Sequence, residues 1–240
     1  VVILDYTIII LGETDGIKPN VIVILAESLF DLDGVEGLEF SVDIDETIEQ
    51  YSDTTMISPR YGGYTSAVEF EVLTGLSLAF MPSALTPYTT YFNNANDEFP
   101  CIVREFAKND YLTKAIHPNL PAFYNRELVY KAFGFDEYLS IVDFETNENN
   151  TTDNGWLKDG AFADKLIEEL EGTERPQFIF GITMEGHYVT VDKYNDTEVK
   201  VTAEGLSDER THEIEQQAQS YYGTDKMIEK LIDYIDSTDT

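Results

Sequence analysis

A hydroxyl at a helix start, a carboxylate at a strand end and two imidazoles behind buried strands are the groups in this chain that could do chemistry together. The hydroxyl is Thr65, within Gly62-Gly63-Tyr64-Thr65-Ser66-Ala67-Val68-Glu69-Phe70-Glu71-Val72-Leu73-Thr74-Gly75. The glycine pair allows a sharp turn, the pattern from Ser66 is helical, and Gly75 is placed to end it. A helix start offers an anion unpaired N–H groups and the positive end of its dipole. A hydroxyl held there can attack a phosphorus or sulfur centre once its proton affinity is lowered. Serving as a plain N-cap is the alternative for the same residue. The carboxylate is Glu27, behind the apolar run Val21-Ile22-Val23-Ile24-Leu25-Ala26. Ligands of open α/β sheets collect at that end of a strand, so Glu27 is a candidate metal ligand, or else a Glu that has reached solvent. Of the three histidines, His117 follows Tyr111-Leu112-Thr113-Lys114-Ala115-Ile116, and His187 follows Gln177 to Met184 through Glu185-Gly186. Imidazole in a shared crevice can hold a phosphate oxygen or protonate a leaving alkoxide. His212 lies in the polar stretch Asp208-Glu209-Arg210-Thr211-His212-Glu213 and reads as a solvated helix residue.

Those residues need strands and helices to position them. The β-branched run Val21-Ile22-Val23-Ile24-Leu25 reads as a strand buried on both faces, the kind found in parallel sheets. Amphipathic stretches predict helices near Pro100 to Asn109, Asn125 to Ala132, Lys158 to Leu170 and, longest, Ser207 to Ile235. Strands alternating with helices argue for an α/β domain with helices on both sheet faces. Phe144 to Gly155 is polar and rich in turn residues, hence a loop. Tyr188-Val189-Thr190-Val191 and Val199-Lys200-Val201 read as short strands flanking a turn. Residues 1–17 form a boundary segment, with a strand pattern in Val1 to Leu11, leading into one domain over 18–240. Cys101 reads as buried at a helix start, and a single cysteine excludes an internal disulfide.

Several of these motifs, in this order, resemble the lipoteichoic acid synthase branch of the sulfatase/alkaline phosphatase superfamily. They are Pro19 to Ile24 with Glu27-Ser28, Gly62-Gly63-Tyr64-Thr65 with Glu69 to Gly75, Ala115-Ile116-His117-Pro118-Asn119, Phe123-Tyr124-Asn125-Arg126, Gly134-Phe135-Asp136 and Thr183-Met184-Glu185-Gly186-His187-Tyr188. The resemblance runs from about Lys18 to about Asp233. It implies a three-layer sandwich around a mainly parallel sheet, and phosphoglycerol transfer from phosphatidylglycerol through a covalent intermediate on Thr65. It implies that Glu27 and Thr65 contact an active-site metal, usually manganese, with magnesium or zinc compatible with the donor types. His117, Tyr124, Arg126 and His187 correspond to positions lining the phosphoglycerol pocket, and a guanidinium fork suits phosphate oxygens. The Cys/Ser-x-Pro-x-Arg motif of formylglycine sulfatases is absent from Thr65-Ser66-Ala67-Val68-Glu69.

The family completes its metal site with an Asp-His pair beyond the last helix, and no Asp-His dipeptide occurs in this sequence. Beginning at Val1 without Met and ending at Thr240, the chain is read as a piece of a longer protein. A chain without the pair is expected to bind manganese weakly, with Asp31 or Asp33 as the alternative source of ligands.

Composition narrows the partners. There are 46 acidic and 15 basic side chains, a net charge of −31. Such a surface repels polyanions, which argues against nucleic acid. Phosphate chemistry would then depend on local cations, because bulk charge is screened beyond about 8 Å at physiological salt. No apolar run approaches the ~20 residues of a membrane span. The resemblance implies a parent protein anchored outside the bacterial cell membrane, acting on a lipid headgroup and a polymer or glycan acceptor. A phosphodiesterase- or sulfatase-type hydrolase, or a phosphoglycerol-binding domain without turnover, are the alternatives.

Overall fold

The alternation of Val21–Leu25 between two faces explains the architecture. Ile22 and Ile24 are buried with Phe162, Leu166 and Ile228 on one side, while Val23 and Leu25 are buried with Phe70, Val129 and Phe133 on the other. A strand that is apolar at every position can only be satisfied by cover on both faces, and helices supply it.

The computed structural model describes residues 2–3, 6–10, 18–52, 58, 64–82, 86–92, 99–187 and 192–238. In chain order its strands are β1 (Val2–Ile3), β2 (Tyr6–Ile10), β3 (Val21–Leu25), β4 (Leu38–Phe40), β5 (Leu112–His117), β6 (Glu137–Ser140), β7 (Gln177–Ile182) and β8 (Val201–Ala203). Its α-helices are α1 (Glu46–Tyr51), α2 (Thr65–Thr74), α3 (Pro87–Tyr91), α4 (Ile102–Lys108), α5 (Arg126–Phe133), α6 (Asp159–Glu171) and α7 (Asp208–Ser237). The main sheet has the order β1-β2-β3-β7-β5-β6. Strands β3, β7, β5 and β6 are parallel, and β1 and β2 join as antiparallel neighbours. β4 and β8 form a separate antiparallel pair.

Helices α6 and α7 cover one face, and α2, α4 and α5 the other. This is the expected α/β sandwich. The four helices predicted between Pro100 and Ile235 all form, within a few residues of their predicted ends. Where a strand pattern is expected in Val1 to Leu11, Val2–Ile3 and Tyr6–Ile10 are strands of the main sheet. Gly75 ends α2 in the left-handed conformation (φ 70°), as a C-terminal glycine should. Gly62, Gly63 and the strand expected over 188–191 lie outside the described residues. Of the second expected short strand, Val201 belongs to β8.

Candidate active site

Because β3, β7 and β5 are adjacent and parallel, their carboxyl ends open on one edge. Glu27, His117 and the Glu185-Gly186-His187 turn all arise there. The backbone N–H of Glu27 donates to Thr183 Oγ1 (3.1 Å), and Thr183 N–H donates to the carbonyl of Leu25 (3.1 Å), which stitches β7's continuation to the end of β3. The half-buried Glu27 carboxylate accepts from Thr65 Oγ1 at 3.2 Å on one oxygen and from Ser28 Oγ at 3.3 Å on the other.

Thr65 is the first residue of α2, and the capping position belongs to Tyr64, which makes no side-chain cap bond. The N-cap alternative for Thr65 therefore does not hold. Its hydroxyl points to a carboxylate from the sheet. Ser28, Tyr64, Tyr124 and Asn125 all have positive φ without being glycine (55°, 67°, 55° and 60°). They flank Glu27, Thr65 and Arg126, and backbone held in this region costs about 1–3 kcal/mol per residue, which surrounding contacts must offset.

Arg126 opens α5 and is 1% exposed. Its Nε donates to both oxygens of Glu69 (3.2 Å each) and its Nη2 to Oε1 (2.6 Å). Burial works against the guanidinium's charge, but the Glu69 carboxylate outweighs it and keeps Arg126 protonated. Tyr88 and Tyr130 donate to the same carboxylate at 3.0 and 2.7 Å. Burial, then the Glu69 charge, pushes both phenols well up, so they remain neutral donors. A sequence view gives Arg126 an open fork for phosphate; the structure places one side of that fork on Glu69. Tyr124 covers the guanidinium, its ring centroid 5.1 Å from Cζ.

His117 is buried, with Nδ1 3.1 Å from the Ile182 carbonyl. Burial first, and the positive charge of Arg126 next, hold this imidazole well below its usual range, with His187 adding to the effect. A neutral ring that donates from Nδ1 keeps Nε2 as an acceptor. His117 is thus suited to accept a hydrogen bond from a hydroxyl, less so to donate to phosphate. His187 is half-buried, its ring 5.5 Å from that of Trp156. The fields of Glu27, Glu69 and Arg126 all reach Tyr124. The five predicted positions around Thr65 thus belong to one neighbourhood, linked through the Glu27–Thr65 contact and through Glu69, one helical turn beyond Thr65. His212, by contrast, sits on α7 against Asp192 (2.9 Å), exposed.

Sequence reasoning missed a second buried polar group behind the Glu185-Gly186-His187 turn. Glu185 Oε2 accepts from the Asp159 N–H (2.7 Å), and Asp159 Oδ1 accepts from the Glu185 N–H (3.2 Å). Tyr194 donates to Glu185 Oε1 at 2.6 Å. Lys193 Nζ donates to the Glu185 carbonyl and to Ser220, both at 2.8 Å, and burial lowers its pKa to about 8. Burial, and for Glu185 also the neighbouring Asp159, pushes both carboxyls above their ordinary range.

Since the folded pair holds protons more tightly than the unfolded chain does, its stabilising contribution is full below the unfolded carboxylate pKa, roughly 4. It is lost as pH rises through the folded values. The unfolding free energy of wild type minus that of Glu185→Gln, from urea titrations, should therefore fall by on the order of 1 kcal/mol or more as pH rises from about 5 to 8. A difference flat across that range would mean that the pair holds no extra proton.

Glu27 and Thr65 are the two positions expected to contact a metal, and the structure brings their oxygens together. A carboxylate and a hydroxyl 3.2 Å apart form a hard oxygen pair that fits manganese or magnesium. Asp31 instead accepts from Gly34 N–H (2.7 Å), and Asp33 joins Asp45 and Glu49 in an acidic cluster with ligand atoms within 4.8 Å of one another.

The mainly parallel sheet with helices on both faces is the alkaline phosphatase/sulfatase-like fold, as the family match and the solved structures below show. Over residues 19–240 the sequence matches the Sulfatase family, and the chain belongs to it. It is 32% identical over 95% of its length to the "Putative cyclic beta-1,2-glucan modification protein" of Rhizobium meliloti, and 24% identical over 75% of its length to the lipoteichoic acid synthase-like protein YvgJ of Bacillus subtilis. The chain spans 35% and 32% of those relatives. Among solved structures, the phosphoglycerol transferase GacH of Streptococcus pyogenes, in complex with sn-glycerol-1-phosphate, superposes with a TM-score of 0.75. That match is at 24% identity and covers 93% of this chain and 59% of GacH. The lipoteichoic acid synthase LtaP of Listeria monocytogenes gives 0.70 at 21% identity, covering 91% of this chain and 52% of LtaP.

Proposed function

We propose that this chain carries the nucleophile half of a phosphoglycerol transferase that acts outside the cell membrane. The carrying observation is the contact between Thr65, at the start of α2, and the strand-end carboxylate Glu27. Arg126, His117, His187 and Tyr124 border the same edge, and the names of the relatives point to the same substrate class. Thr65 Oγ attacks the phosphorus of phosphatidylglycerol and gives up its proton, the bond from phosphorus to the diacylglycerol oxygen breaks, that oxygen takes up a proton from water as diacylglycerol leaves, and phosphoglycerol remains on Thr65. Glu27 Oε2 holds the hydroxyl proton that must leave. A bound divalent ion, held by Glu27 and Thr65, would lower the proton affinity of the hydroxyl. His117 Nε2 accepts from a glycerol hydroxyl, and the N–H groups opening α2 face the phosphoryl charge. An acceptor hydroxyl then attacks the same phosphorus and releases Thr65.

A glycan acceptor is favoured over a glycerol-phosphate polymer by the 32% identical relative, whose name refers to a β-1,2-glucan and whose similarity spans 95% of this chain. The −31 charge also disfavours a polyanionic acceptor. The test is incubation of the full-length protein with phosphatidylglycerol vesicles, manganese and β-1,2-glucan. Diacylglycerol release should require the metal and should yield phosphoglycerol on the glucan. Free glycerol phosphate as the sole product would identify a hydrolase, and no release at all would indicate a binding domain.

No helix among the described residues is long and apolar enough to cross a membrane.

A further inference from the structure

The carboxylate of Glu69 is 0% exposed, lies four residues after Thr65 on α2 and accepts three contacts from the Nε/Nη2 side of Arg126. Residues four apart share a helix face, so the side of α2 that presents Thr65 also holds Glu69. A guanidinium has five N–H donors in a planar fork. Glu69 occupies two of them, one on Nε and one on Nη2, and the Phe123 carbonyl takes one from Nη1 at 3.4 Å. Two remain among the described residues, one on each terminal nitrogen, and the outer edge that these two nitrogens share faces away from Nε. That edge matches two oxygens of one phosphoryl group.

We propose that Glu69 is a positioning residue. By holding the Nε/Nη2 side of Arg126 and riding on the helix that carries Thr65, it aims the outer edge of the guanidinium at the phosphoryl group that Thr65 attacks. The role rests on the phosphoglycerol reading given above. Tyr88 and Tyr130 saturate the remaining capacity of Glu69, so the carboxylate cannot swing toward Arg126's other edge or toward a metal. The ion pair also has no net charge. Attraction for phosphate from Arg126 is therefore short-ranged and directional, depending on where the two outer N–H groups point. Moving α2 relative to α5 would misalign nucleophile and fork together, which makes Glu69 the link that keeps the two in step.

The test is a double-mutant cycle in the full-length protein, with sn-glycerol 1-phosphate as the binding probe and phosphatidylglycerol as the substrate. Arg126→Ala should weaken probe binding by roughly 10- to 100-fold, the range of a charge-assisted bidentate contact. Glu69→Gln should raise KM for phosphatidylglycerol and weaken probe binding by at least about tenfold, because the freed guanidinium no longer presents its outer edge. In the Arg126→Ala background the same Glu69→Gln change should cost nothing further. A Glu69→Gln protein that binds as tightly as wild type, while Arg126→Ala does not, overturns the positioning role alone. Multiplying effects would do the same, since they would mean that Glu69 acts independently of Arg126. Failure of the wild-type protein to bind the probe, or unimpaired binding by Arg126→Ala, would remove the phosphoglycerol reading of Arg126 and the role of Glu69 with it.

Should Glu69→Gln fail to fold, nitrogen-15 spectra of the wild-type protein decide. On adding the probe, the Arg126 Nε–H signal should keep its position, protected by Glu69, while the terminal N–H signals move. An Nε–H signal that shifts with the probe would show that phosphate displaces Glu69, contrary to the proposal.

Discussion

Thr65→Ala is expected to reduce turnover of phosphatidylglycerol by roughly 10⁴-fold or more, because the group that forms the covalent bond is gone. Stability should change by no more than about 1 kcal/mol, since Thr65 caps nothing and its hydroxyl bond to Glu27 is only partly buried. Wild-type protein quenched during turnover should carry phosphoglycerol on the peptide containing Thr65, and the Ala variant should carry none. Thr65→Ser keeps the hydroxyl and should retain measurable transfer, which separates loss of the nucleophile from loss of the methyl group's packing. Transfer at wild-type rate by Thr65→Ala, or an adduct on another residue, would sink the mechanism proposed for this site.

Gly186→Ala should damage stability and activity together. A Cβ built on Gly186 would lie 2.0 Å from the Glu27 carbonyl oxygen and 3.1 Å from its carbon. Those are backbone atoms of the chain leaving β3, pinned by the Thr183 bond, so neither side can give way cheaply. The turn must lift off the strand end and take His187 with it. A destabilisation of about 3 kcal/mol or more is expected, at the upper end for overpacking, along with weaker substrate binding. Gly160 on α6 is the control: its Cβ would meet nothing within 4 Å, and Gly160→Ala should stabilise the helix by about 0.5–1 kcal/mol. Thermal or urea unfolding reads both. Equal effects of the two substitutions would show that the close approach at Gly186 is not a real constraint.

The parts of the site that were legible in sequence were those announced by their neighbours. Glu27, His117 and His187 stand behind strand patterns and Thr65 opens a helix pattern; each signal is weak alone, and it was their occurrence together in one order that made them legible. Glu69 was quoted within a motif but given no role, because a Glu in Val68-Glu69-Phe70-Glu71-Val72 looks like the polar face of a helix. Only the fold brings Arg126, Tyr88 and Tyr130 to it, from 57, 19 and 61 residues away. Glu185 and Asp159 were illegible as a pair for the same reason, being 26 residues apart with mutual backbone bonds. Arg126 was expected to line the phosphoglycerol pocket from the family resemblance, which said nothing of the carboxylate that occupies two of its five donors. The β1–β2 hairpin could not be told from a boundary segment, since a short apolar run announces a strand but not its partner.

The position of β3 between β2 and β7 bears on how the chain reaches its native state. Its antiparallel neighbour β2 is close in sequence and can dock early. On its other side, Glu27 meets Thr183 across 156 residues, so the Val21–Leu25 edge stays open until most of the chain has been made. Loops of that length close slowly, and an uncovered Val-Ile-Val-Ile-Leu edge is the kind that pairs with other chains while it waits. The same long-range pairing that brings Glu27, Thr183 and the His187 turn together thus sets the vulnerable interval during synthesis. The dense negative charge of the rest of the chain, which keeps partly folded copies apart, is a protection suited to it.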